Sequence, residues 1–178
     1  MAAGSTYTPL ATTTVTSNTA SVTFSSISSA YTDLVLVINA LAYFGSNTYI
    51  NGKIQVNSDT GSNYSATNLY GTGSVAGSNR ASNQTAWANP FFILPANSTD
   101  NSIRGTAVIQ FMNYSNTTTY KTVLARSNVT GTTAGGEVQA DVGLWRSTSA
   151  INSITIANND SATGFVAGTF SLYGILAA

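Results

Sequence analysis

The sequence contains no histidine and no cysteine, and only 7% of its residues are charged. Without histidine, Ser-His-Asp and Cys-His catalysis, most zinc sites and most phosphoryl-transfer relays are excluded. Without cysteine, thiol nucleophiles, disulfides and iron–sulfur ligation go as well. The scarcity of charge is equally restrictive, since an average soluble domain carries about 25%. Six Lys and Arg balance six Asp and Glu. No long-range field draws in phosphate backbones or anionic lipid heads, so neither nucleic acid nor a membrane is an expected partner. The longest aliphatic run, Leu34 to Ile38, is far short of the ~20 residues that span a bilayer. The opening MAAGSTYTPLATTT has neither a basic nor a long apolar segment, so no secretory signal peptide is expected.

Carboxylates are the only acid–base chemistry left. A glycosidase needs two of them roughly 5 to 9.5 Å apart. Glu137 and Asp141, on one face of one strand, are about 13 Å apart along the backbone at ~3.3 Å per residue. The triplet Asp59-Thr60-Gly61 resembles the DTG of aspartic proteases, but it follows Asn57 and Ser58 instead of an apolar strand and has no second copy. Asn57, Asp59, Gly61 and Asn63 alternate like a calcium loop, yet a set with one carboxylate binds weakly and a polar turn explains it. No catalytic residue, metal ligand or cofactor is therefore expected, and the chain reads as a non-enzyme.

What the sequence does contain is a period of two. In EVQADVGLW, Val138, Ala140, Val142 and Leu144 alternate with Glu137, Gln139, Asp141 and Gly143, the pattern of a half-buried strand. Runs rich in Thr, Val, Ile, Tyr and Phe, punctuated by Gly, Asn, Ser and Asp, predict strands near 12–16, 20–25, 33–41, 49–57, 64–70, 90–94, 103–113, 119–127, 137–146, 151–157 and 165–176. No segment predicts a helix of useful length. One domain of 178 residues buries about 70% of its unfolded surface, enough for a core without disulfides. So many short strands predict an all-β, two-sheet sandwich of jelly-roll type, with an immunoglobulin-like or other Greek-key arrangement as the alternative. Residues 1–19 are a candidate N-terminal arm.

Two stretches stand out as candidate contact surfaces. Leu34, Leu36 and Ile38 lie in a run apolar at successive positions, which predicts cover on both faces, by the opposing sheet and by a neighbouring subunit or loop. Gly71 to Asn89 shows neither period and reads as a long loop that binds a partner, with Trp87 as apolar anchor and Arg80 as charged donor. Tyr70, Trp87 and Tyr120 are aromatic candidates for stacking on sugar rings or anchoring a partner, core packing being the alternative role.

The phrases SVTFSSISSAYTDLVLVINA, VNSDTGSNYSATNLYGTGS and the closing GTFSLYGILAA resemble small virion structural proteins of tailed bacteriophages, including phages of aquatic bacteria. The likeness runs from about Ser21 to Ala178 and rests on turn phrases, not on catalytic residues. It implies a jelly-roll on the particle exterior, either a capsid decoration (cement) protein or a fibre or tail-tip module that binds host surface carbohydrate. The doubly apolar run Leu34 to Ile38 and a surface too weakly charged to resist association predict a homo-oligomer; the resemblance implies a trimer, with the major capsid protein among its partners. No helical or collagen-like shaft is present, which favours decoration of the capsid. The expected location is the virion, after assembly in the host cytoplasm.

Overall fold

The computed structural model describes residues 6–43, 49–89, 91–96, 102–130, 136–159 and 164–176. These residues form twelve strands and no helix: β1 Tyr7–Val15, β2 Ser21–Phe24, β3 Asp33–Ala42, β4 Tyr49–Val56, β5 Tyr64–Gly71, β6 Ala76–Gln84, β7 Ile93–Pro95, β8 Gly105–Met112, β9 Lys121–Val129, β10 Glu137–Trp145, β11 Ile154–Asn158 and β12 Phe165–Ile175. Eight form one sheet in the order β1-β12-β3-β8-β9-β10-β5-β6, and four form a second in the order β2-β11-β4-β7. The named strands pair antiparallel, and the two sheets pack as a β-sandwich of jelly-roll type. Their inner faces share one core, to which β3 gives Leu34, Leu36 and Ile38, β8 gives Ala107, Ile109 and Phe111, and β12 gives Phe165, Phe170 and Leu172.

Trp87 joins the two layers. Its backbone exchanges both hydrogen bonds with Ile54 of β4, at 2.9 and 3.0 Å. Its indole crosses to the large sheet, where Nε1 donates to the Leu144 carbonyl at 3.2 Å. The ring lies against Gly143, where a Cβ would stand 2.6 Å from Nε1, so β10 must present a glycine at this point. Around the indole, Tyr64 packs edge-on at 5.2 Å between ring centroids, Phe91 stacks at 5.8 Å and Phe111 tilts at 6.2 Å. Tyr64 is a second tie: it projects from β5 of the large sheet, and its hydroxyl takes the Val56 N–H of β4 at 3.1 Å. Burial pushes that phenol up to about 12, so it stays a neutral donor and acceptor at any ordinary pH.

Several sequence expectations are corrected. Gly71 to Asn89 is not a loop: Thr72 to Val75 turn the chain, with the Thr72 N–H donating to the Val75 carbonyl, and β6 returns along β5 from Ala76↔Gly71 to Gln84↔Tyr64. This strand is an edge with mostly exposed polar side chains, so it carries no apolar alternation to announce it. The segment proposed as an N-terminal arm holds β1, paired with β12 from Tyr7↔Ile175 to Val15↔Gly168; residues 1–5 lie outside the described residues. Trp87 is fully buried, not an exposed anchor, and Leu34, Leu36 and Ile38 point into the sandwich, where each is 0% exposed. The opposite face of β3 belongs to Val35 and Val37, in register with Gln110 and Val108 of β8.

Trp87→Ala should therefore act on folding and not on attachment. It should lower the free energy of unfolding by about 3 to 5 kcal/mol, the usual cost of emptying an aromatic core site. Urea denaturation followed by circular dichroism measures this, and an unchanged midpoint would mean that Trp87 is not the tie between the sheets.

Candidate functional site

With Gly143 turned toward Trp87, the period of two fixes the face of every other residue in β10. Gln139, Asp141, Gly143 and Trp145 are buried, while Val138, Ala140 and Val142 are exposed. The half-buried strand is present, but its polar residues face in and its apolar ones face out. Two surfaces follow from this reversal, one on each side of the large sheet.

The outer side is an apolar field. Across the strands, Val142 lies between Leu124 of β9 and Thr67 of β5, and Ala140 lies between Arg126 and Leu69. One strand further, Leu124 stands beside Gln110 and Arg126 beside Val108. Leu69 and Val138 are each 63% exposed, and Leu124, Val142 and Met112 are exposed as well. Two adjoining hollows of about 650 and 500 Å³ lie in this field and share Leu69, Arg126 and Ala140. Arg126 is exposed at the junction, and Arg80 of β6 is exposed at the rim, in register with Thr67.

The inner side is polar at the end where β10, β5 and β6 meet. Asp141 lies in register with Asn68 of β5 and Ala125 of β9, is 3% exposed, and has no hydrogen-bond partner on either carboxylate oxygen. Burial, with a smaller contribution from the nearby Glu137 charge, pushes its carboxyl up from 3.8 to about 7. Gln139 donates through Nε2 to Glu137 Oε1 at 2.8 Å, which leaves its own Oε1 buried and unpaired. Asn68 Oδ1 accepts the Asn79 N–H of β6 at 2.9 Å. A cleft of about 350 Å³ opens here, lined by Tyr49 and Asn51 of β4, Asn68 and Tyr70 of β5, Asn79 of β6, Glu137 and Gln139 of β10, and Asn89. Tyr70 spreads across β6 at Gly77, where a Cβ would stand 2.6 Å from the phenol oxygen.

Of the residues expected at a site, Tyr70 lines this cleft, Arg80 borders the apolar field, and Tyr120 is 55% exposed just before β9. Trp87, Leu34, Leu36 and Ile38 belong to the core. Sequence reasoning missed Asn68, Gln139 and Asp141, because their burial depends on which face of β10 turns inward. No protein-family model, curated protein or solved structure matches the chain. The residues themselves must carry the functional reading.

Asp141 is nearly sealed from solvent and does not line the cleft. Among the described residues no three or more Asp, Glu, His or Cys gather as metal ligands. The Asn57 to Asn63 segment is a turn around Asp59, whose carboxylate accepts from Gly61 N–H at 2.8 Å, Asn63 Nδ2 at 2.9 Å and Trp145 Nε1 at 2.6 Å. Burial works against that charge, but the three donors outweigh it and hold Asp59 below its ordinary value.

Asp59, partly exposed, and Asp141, buried, give opposite pH dependences. Asp59, depressed in the folded state, contributes stability above its unfolded pKa that is lost as pH falls through the lower folded value. Asp141 is raised, so the folded chain keeps a proton that the unfolded chain releases, and stability falls as pH climbs from about 4 to about 7. The full cost above that window is on the order of 4 kcal/mol as an upper bound. Asp141→Asn should remove this slope: melts at pH 5 and pH 8 should differ clearly in the wild type and little in the variant, with the variant more stable at pH 8. Equal wild-type melts at both values would contradict the burial of a charged Asp141.

Proposed function

We propose that this chain is a non-enzymatic structural protein of a bacteriophage virion, a capsid decoration or cement protein that associates with copies of itself and with the major capsid protein. The observation that carries the reading is the outward-facing apolar field of β5, β9 and β10. A strand that points Val138, Ala140 and Val142 at solvent while it buries Asp141 costs stability in an isolated monomer, and that cost is offset if the field is covered in an assembly. A formal charge of zero removes the long-range repulsion that would oppose close packing of many copies. The likeness to small phage structural proteins supports the same reading and supplies the trimer as the expected state. In this role each copy stabilises the particle by mass action, because it binds the assembled lattice and not its separated parts.

Two measurements test it. Sedimentation at micromolar concentration should find an oligomer, and Leu124→Lys combined with Val142→Lys should convert it to a folded monomer. A wild type that is monomeric in solution and does not assemble on particles would contradict the proposal. Particles lacking the protein should lose integrity at lower temperature while adsorption to the host stays normal. Intact particles that fail to adsorb, or cleavage of polysaccharide by the purified protein, would overturn the decoration role.

A further inference from the structure

We propose that the inner-side cleft lined by Tyr49 and Tyr70 is a binding site for a neutral saccharide, one or two pyranose rings in length. Its volume of about 350 Å³ lies at the small end of ligand sites, too large for a lone ion and suited to a short sugar. The chemistry of the lining selects the class. Phenol rings offer flat apolar faces for the C–H side of a pyranose, and side-chain amides both donate and accept, as vicinal hydroxyls require.

Gln139 supplies a second, independent pointer. It is 9% exposed and lines the cleft, its Nε2 is committed to Glu137, and its Oε1 has no partner. A buried acceptor without a donor is costly, and a ligand hydroxyl answers it after a small rotation of the amide. Glu137 is the one carboxylate in the lining, so a divalent cation would find too little charge, whereas a sugar hydroxyl can donate to it. Asp141, behind the lining, is too buried to take part in hydrolysis, so the sugar is held and not cut. Most of the wall comes from four strands, β4, β5, β6 and β10, and Thr72 and Val75 of the turn between β5 and β6, with Asn89, complete it. Tyr70 and Gln139 also line the larger outer hollow, whereas Tyr49, Asn51 and Asn79 line the cleft alone, so Tyr49→Ala tests sugar binding without touching the assembly field.

Nuclear magnetic resonance of the full chain tests this with methyl glucoside, methyl galactoside and N-acetylglucosamine as probes. At least one should shift the side-chain amides of Asn51, Asn79 and Gln139 saturably, with a dissociation constant in the millimolar range. Tyr49→Ala, at an exposed position safe for folding, and Gln139→Leu, which removes the unpaired acceptor, should each weaken binding at least about tenfold. Retention of the protein on dextran-coated beads would identify a polymer as the source, and binding of free glycoside without retention would identify a small sugar. No saturable shift with any probe, shifts confined to residues outside the cleft, or the same shifts produced by calcium chloride alone would overturn the proposal.

Discussion

The contact of Trp87 with Gly143 is the constraint on which the rest of the molecule depends. It fastens the small sheet to the large one through a backbone pair with Ile54 and an indole hydrogen bond to Leu144. It also decides which way β10 faces, because only a glycine leaves room for the indole. Once Gly143 is inward, strand geometry carries Trp145, Asp141 and Gln139 inward with it, and Val138, Ala140 and Val142 outward. A slip by one residue would bury the valines and expose Asp141, a better outcome for β10 alone. It would also drive Leu144 against the indole and turn Trp145 out to solvent. The aromatic core outweighs the local preference of the strand.

Both surfaces are consequences of that choice. The outward valines join Leu69 and Leu124, which their own strands also present outward, and together they make the field proposed to be covered in an assembly. The inward amides and acids meet Asn68 and Asn79 and make the polar end of the sandwich. An unpaired Asp141 in that setting is costly and is best tolerated neutral, which ties the stability of the fold to pH between about 4 and about 7.

Much of the fold was legible in the sequence. The alternation in residues 137–145 and the apolar runs at 33–41 and 105–112 mark strands because a half-buried or buried strand needs them, and Asn, Gly and Asp mark the turns between. β6 was not legible: an exposed edge strand of Ala, Gly, Ser and Asn has no hydrophobic signature, and its pairing with β5 is visible only in three dimensions. Nor could alternation say which face of β10 is inside. A period of two shows that two faces differ, and the choice between them lies in a contact between Trp87 and Gly143, 56 residues away in the chain. The candidate site shares that fate. Tyr70 was visible as an aromatic near a turn, whereas Gln139 and Asn68 looked like solvent-facing polar residues.

Because the chain has no cysteine of its own, the orientation of β10 can be read with introduced thiols. Val142→Cys and Asp141→Cys are made separately, and maleimide labelling is timed in dilute protein and in assembled material. Cys at 142 should label rapidly when dilute and become protected on assembly, while Cys at 141 should be protected in both. Rapid labelling at 141 with protection at 142 in the dilute protein would mean that the valines face the core, and the account built on Trp87 and Gly143 would be wrong.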